Sequence, residues 1–271
     1  MRCVRRYIIF VSLIGCLCAN AQSDSTFSLV RRIQGSIVDF AVDNLGYIYL
    51  VNSDNQVKKI SPNGDSLAVY NDVRHFGKIY LIDVTNPLKI LLYQRDFLTI
   101  VQLDRLLNIL NTIDLRNLGI FQCKAIGLAY DNNTWIYDEV EAKLKKVADD
   151  GSLVDQTTDI RQFTDQAPDP TSIIDQNGLV YLYDSAHGAY VFDQYGAFQR
   201  QIHLTGWEDF SVIDKTLFGR DQQYFFKYKS GNPDIQRQPI PANYLPALKI
   251  IITPNSIYVL KQNALEIYSR K

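Results

Sequence analysis

A strand-turn-strand unit returns about every 40 residues along this chain, and no other feature narrows the fold so far. Its apolar strand cores fall at Tyr49, Leu91, Ile136, Tyr181, Leu217 and Tyr258. The best copies read Asp43-Asn44-Leu45-Gly46-Tyr47-Ile48-Tyr49-Leu50 and Asp175-Gln176-Asn177-Gly178-Leu179-Val180-Tyr181-Leu182. A third, Asp131-Asn132-Asn133-Thr134-Trp135-Ile136-Tyr137, keeps the turn and the aromatic strand. Gly and Asn accept positive φ at such turns, and Asp bonds its own backbone. With 17 Tyr and 13 Phe beside many β-branched residues, the composition favours strands over helices.

Within the first unit the turn signals separate four strands: Ile37–Val42, Tyr47–Val51, Gln56–Ile60 and Ser66–Tyr70. Later turns between third and fourth strands recur as Asp149-Asp150-Gly151 and Asp193-Gln194-Tyr195-Gly196. Counting units predicts an all-β, six-bladed β-propeller of four-stranded blades. The second and fifth units lack the turn glycine, which leaves the register of the fifth open. From Ala247 onward there is room for three strands only, while Thr26–Ile33 has strand pattern and no unit of its own. An N-terminal strand completing the last blade would close the ring and remove two sheet edges.

These units resemble NHL-type six-bladed propellers, whose repeats run Asp-x-x-Gly-x-Ile-Tyr-Val into a turn. The resemblance covers Thr26 to Lys271. It implies a fold rather than an activity, because that architecture serves binding, scaffolding and unrelated enzymes.

The N-terminus reads as an export signal occupying residues 1–21, with a single propeller domain over 22–271. Met1–Arg6 is positive, Tyr7–Cys18 is apolar but short for a spanning helix, and Ala19-Asn20-Ala21 is a small-x-small cleavage site. A second reading uses Leu13-Ile14-Gly15-Cys16 as a lipobox, which would leave a lipid anchor at Cys16. Either reading sends the folded part out of the cytoplasm, to a periplasm, an outer surface or the medium. Beyond the signal only Cys123 remains, so no internal disulfide forms there; a buried small hydrophobe is its plain role. Without the three signal arginines the chain carries 25 bases against 29 acids, which excludes a nucleic-acid footprint.

A finer repeat marks the blade junctions. Asp72-Val73-Arg74-His75-Phe76-Gly77 recurs as Asp114-Leu115-Arg116-Asn117-Leu118-Gly119 and as Asp159-Ile160-Arg161-Gln162-Phe163-Thr164. In a propeller these junctions share one face with the turns between second and third strands, around the channel mouth. Arg74, Arg116 and Arg161 then either form an arc that grips an anion bidentately, or pair with acids to tie blades together. Repetition in register suits the structural role. The inner turns add Arg95-Asp96, Asp138-Glu139, Asp184 and Arg220-Asp221 to that face. Adjacent acids such as Asp138 and Glu139 suit calcium binding or acid–base work, and equally plain solvation. Trp207 and Tyr244 fall in junctions, either to stack on a ligand or to pack over a blade end.

His75, His187 and His203 lack ligand spacing, and no nucleophile elbow, P-loop or dinucleotide fingerprint is present. No metal or cofactor is expected. The sequence therefore favours a non-catalytic exported binding or scaffolding propeller of a bacterial envelope or surface. Its ligand would be a protein or a small anionic or carbohydrate molecule, held by Arg74, Arg95, Arg116, Arg161, Trp207, Arg220 and Tyr244. A metal-assisted hydrolase or lyase with its site at the channel mouth is the alternative.

Overall fold

A computed structural model of the protein describes residues 27–71, 77–164, 166–231 and 234–270. Six four-stranded antiparallel sheets follow one another in the chain. Blade 1 is β2 (Ile37–Val42), β3 (Ile48–Asn52), β4 (Val57–Ile60) and β5 (Ser66–Tyr70). Blade 2 is β6 (Leu81–Asn86), β7 (Lys89–Gln94), β8 (Thr99–Leu103) and β9 (Ile109–Asp114). Blade 3 is β10 (Cys123–Leu128), β11 (Thr134–Asp138), β12 (Lys143–Val147) and β13 (Leu153–Gln156). Blade 4 is β14 (Ser172–Gln176), β15 (Leu179–Asp184), β16 (Gly188–Asp193) and β17 (Phe198–Ile202). Blade 5 is β18 (Glu208–Ile213), β19 (Thr216–Arg220), β20 (Tyr224–Lys229) and β21 (Gln236–Pro239). Blade 6 combines β22 (Lys249–Ile252), β23 (Ser256–Lys261) and β24 (Ala264–Arg270) with β1 (Phe27–Gln34) from the other end of the chain.

The N-terminal closure expected from the orphan strand is present. β1 pairs with β24 from Phe27↔Arg270 to Gln34↔Ala264. The open register of the fifth unit is settled by a two-residue turn in which Asp214 takes φ of 54°, where the turns of blades 1, 3 and 4 use Gly or Asn. Asp is among the residues that tolerate that region.

The core is six wedges, one per seam between blades. Alternate residues of each second strand point to opposite seams. Ile48 and Leu50 of β3 pack against blade 6, while Tyr49 and Val51 pack against blade 2. Val180 and Leu182 of β15 face blade 3; Tyr181 and Tyr183 face blade 5. Burial on both faces is why these strands read as unbroken apolar runs.

Tyrosine suits these wedges because an apolar ring carries a hydroxyl to the far side. Tyr93 donates to the Cys123 carbonyl (2.8 Å), Tyr137 to the Pro168 carbonyl (3.1 Å) and Tyr183 to the Trp207 carbonyl (3.0 Å). Each tyrosine stands next to last in the second strand of one blade and ties down the entry to the next.

A second set of ties lies toward the rim. Lys59 reaches the Arg105 carbonyl of blade 2 (2.9 Å), Gln102 reaches Asp149 of blade 3 (2.9 Å), and Lys146 reaches the Gln194 carbonyl of blade 4 (3.2 Å). These three stand at the same place on the third strand, opposite Ala68, Asn111 and Asp155. In blades 4 and 6 that place holds Val191 and Ile267, and the donor side chain moves to the residue directly opposite, Arg200 and Arg31. Arg200 reaches Ser230 (3.0 Å); Arg31 reaches the carbonyls of Pro62 (3.0 Å) and Asn63 (2.5 Å). The latch is kept while the strand that carries it changes.

Each of these five outer strands also carries a bulge beside the latch, at Val30, Leu67, Leu110, Val154 and Gln199. A bulge twists an edge strand away from pairing with another chain. β21 pairs with β20 without one.

Candidate functional site

The blade-entry junctions and the turns between second and third strands meet on one face, and there the seam between blades 3 and 4 gathers charge. Lys124, the second residue of the inner strand of blade 3, pairs with Asp169, which stands before the inner strand of blade 4. Lys124 also lies 4.0 Å from Glu139, in the inner turn of blade 3. The Asp169 amide donates to Asp184 Oδ2 (2.9 Å), and the same oxygen lies 2.8 Å from His187 Nδ1. One polar chain therefore runs Glu139–Lys124–Asp169–Asp184–His187 across the seam.

Burial pushes the Glu139 carboxyl above the usual carboxylate range, against the pull of Lys124 and Arg95. Asp184 behaves in the opposite way. Burial pushes its pKa up, but the amides of Asp169 and Ala186 and the His187 ring together hold it below the ordinary value. Asp184 is 1% exposed, so it fixes the imidazole from beneath while the ring edge meets solvent. An imidazole held at Nδ1 by a buried carboxylate leaves Nε2 free to accept or deliver a proton. The sequence carries one faint signal of this pair, Asp184 and His187 three apart in a turn.

The adjacent acids of blade 3 part company. Asp138 turns inward, 1% exposed, and pairs with Lys145 at 2.7 Å, while Glu139 joins the seam. Among the described residues no group of three or more His, Cys, Asp or Glu side chains is placed to hold a metal ion.

The two described junction arginines, Arg116 and Arg161, each pair with an aspartate of their own junction. Asp114 caps a short 3-10 turn, Leu115–Leu118, and takes Arg116 in a fork, Nε to Oδ1 at 2.9 Å and Nη2 to Oδ2 at 2.6 Å. Asp159 and Arg161 repeat this on Ile160–Gln162, with Nε to Oδ1 at 2.9 Å and Nη2 to Oδ2 at 2.8 Å. Each guanidinium is about half exposed and already holds a carboxylate two residues back in its own junction. Arg74 lies outside the described residues. Arg95 is exposed and stacks over Tyr80, 5.1 Å from the ring centre. Arg220 is 2% exposed and pairs with Glu208 (2.8 Å) and Asp209 (2.5 Å).

The two aromatics pack over blade ends. Trp207 lies flat against Phe226, 5.3 Å between ring centres, and Gly219 leaves the space its indole fills. Tyr244 meets Tyr268 edge-on at 4.6 Å. Cys123 is buried, its thiol pushed up to about 12 by burial, which leaves no thiolate at neutral pH.

Apolar side chains such as Phe121, Val140 and Leu248 are exposed on the channel face, and others on the opposite face. Its turn tips carry large apolar residues in the open: Leu45 (62% exposed), Leu88 (64%), Leu106 (55%), Tyr130 (56%) and Tyr195 (64%). They belong to blades 1 to 4 and are held in one arc. Asn86 donates to Asn132 (2.8 Å), joining the Leu88 and Tyr130 turns. Lys146 lies over the Tyr130 ring and reaches Gln194, beside Tyr195. Lys59 lies over Tyr47 and reaches Arg105, beside Leu106. No single stretch of sequence shows this arc, because its members come from turns about 20 to 65 residues apart whose placement depends on ring closure.

No protein-family model matches the chain, and no curated protein matches its sequence. Solved structures do. A streptogramin B lyase is 17% identical with a TM-score of 0.60, over 86% of this chain and 78% of the lyase. A catalytically inactive virginiamycin B lyase from Staphylococcus aureus, solved with quinupristin, is 14% identical with a TM-score of 0.62, over 88% and 82%. The Pan2 WD40 domain of Neurospora crassa is 9% identical with a TM-score of 0.59, over 90% and 96%. At these identities the likeness shows one thing about this chain, that it is built as a β-propeller.

Proposed function

We propose that this protein is a non-catalytic exported binding propeller that docks a protein partner on the face carrying Leu45, Leu88, Leu106, Tyr130 and Tyr195. The arc of exposed apolar tips carries the reading. Water-exposed Leu and Tyr gathered on one rigid face cost solubility and gain free energy when a partner covers them. On the channel face, by contrast, the arginines at 116, 161 and 220 are engaged by carboxylates of this chain. The positive start, apolar run and Ala19-Asn20-Ala21 support the exported setting.

The test is site-specific photo-crosslinking in the native host, with the reactive residue at Leu88, Tyr130 or Arg116. Discrete products from the first two and none from the third are expected. Equal labelling from all three positions overturns the reading.

The Asp184–His187 pair favours a second reading, acid–base catalysis at the channel mouth. It predicts that His187→Ala removes a turnover from a protein that still folds.

A further inference from the structure

Five seams of the ring are latched near the rim; among the described residues the seam between blades 5 and 6 shows no such latch. Among the described residues no hydrogen bond runs from β20 or β21 to blade 6. Its apolar wedge, built on Ile240, Tyr244, Ile250, Ile257, Val259 and Tyr268, is the smallest of the six. The inner half of this seam is clipped, since Asp209 accepts the Ile250 amide (2.7 Å) and Arg220 donates to the Leu248 carbonyl (3.2 Å). The outer half stands open as a cleft of about 470 Å³. That size falls in the range of small-molecule sites, roughly 300–1,000 Å³.

The walls differ in character. Phe27, Ile252 and Ile257 of blade 6 form one side, Phe218 and Phe225 of blade 5 the other, and Tyr244 closes one end. Lys227 interrupts the blade 5 wall. It follows Phe225 by two residues on β20, so its side chain leaves the same face of the sheet. No carboxylate among the described residues pairs with it. Lys59, Lys145 and Lys146, the third-strand lysines buried at other seams, are all engaged.

We propose that this cleft binds an amphipathic organic anion: an aliphatic or aromatic body between the Phe218–Phe225 and Ile252–Ile257 walls, with a carboxylate on the Lys227 ammonium. Charge complementarity selects this class. A neutral apolar guest leaves the ammonium unused, and a polar anion leaves the aromatic walls wet. Nothing in this site overlaps the Leu88–Tyr130 face, so the proposal stands apart from the reading above.

The probe is decanoate, with 1-decanol as its neutral counterpart, titrated into the purified protein by calorimetry. Decanoate should bind more tightly than decanol. Lys227→Glu, an exposed change that leaves the fold intact, should weaken decanoate at least tenfold and leave decanol unchanged. Ile252→Trp should fill the cleft and abolish both, with melting recorded to show that the variant is folded. Arg116→Glu, on another blade, should change neither. A diazirine-bearing decanoate should label peptides containing residues 218–227 or 252–257. The proposal is overturned by no decanoate binding at millimolar concentration, by affinity that Lys227→Glu leaves unaltered, or by labelling confined to other blades.

Discussion

Arg220 donates from Nε to Asp209 Oδ2 at 2.5 Å, and the same oxygen accepts the Ile250 amide of the next blade at 2.7 Å. A buried ion pair thus anchors one sheet to its neighbour. Burial raises the Asp209 carboxyl, and Arg220 is the largest force opposing that rise. Arg220→Met strands the carboxylate and should cost about 3–5 kcal/mol at neutral pH by denaturant unfolding. A raised folded pKa means the folded state holds its proton more tightly than the unfolded one, so stability falls as pH climbs through the folded value. The deficit of Arg220→Met should therefore shrink as pH is lowered into the carboxylate range. Adding Asp209→Asn to Arg220→Met should recover part of the loss at pH 7.

The rim latch predicts a compensating exchange. Lys59→Val leaves the Arg105 carbonyl without its ammonium and should cost about 1–3 kcal/mol. Ala68 stands directly opposite Lys59, as Arg200 stands opposite Val191. The double change Lys59→Val with Ala68→Arg copies the arrangement of blade 4 and should restore at least half of the lost stability. Chemical denaturation of the two single variants and the double checks this; additive losses refute it.

Asp184 gives the acid side of the pH dependence. Its folded pKa lies below the ordinary 3.8, so its contribution is complete above that value and is lost as pH falls through the lower folded one. Asp184→Asn should lower the melting temperature at pH 7. Its difference from the parent should close as pH drops below 3.8.

Closure by β1 predicts failure of the whole ring when that strand is removed. Deleting residues 27–34 uncovers the edge of β24 and separates blade 6 from the Pro62–Asn63 turn of blade 1. Seven paired residues and a latch are comparable with the net stability of a domain, about 5–15 kcal/mol. The truncated protein should be insoluble or unfolded at 37 °C by circular dichroism and size exclusion.

Gly127→Ala probes the inner ring. A Cβ there would stand 2.4 Å from the Ile173 carbonyl oxygen of blade 4. Blades 3 and 4 must part, at a cost of about 1–3 kcal/mol on unfolding.

The repeat was legible from residues alone because its signals are local. Asp43-Asn44-Leu45-Gly46 specifies its own turn, and a doubly buried strand such as Val180–Tyr183 needs only to be apolar along its length. The orphan strand at Phe27–Ile33 and the three-strand end at Lys249–Arg270 implied closure for the same reason: an unpaired edge has an unsatisfied backbone wherever it occurs.

What Arg220, Trp207 and Tyr244 do was not legible, because their partners come from other strands or the next blade. Spacing placed the sequence Arg220-Asp221 in an inner turn on the channel face; the structure buries Arg220 against Glu208, Asp209 and the Leu248 carbonyl. The Asp114–Arg116 and Asp159–Arg161 motifs repeat in sequence, yet only the capped 3-10 turn shows each arginine folded back on its own aspartate. The Glu139–Lys124–Asp169–Asp184–His187 chain, the apolar arc and the cleft at Lys227 join residues that the sequence keeps far apart. A chain of this kind determines its strands and turns locally, whereas which charges meet, which aromatics stay wet and which seam stays open follow from closing the ring.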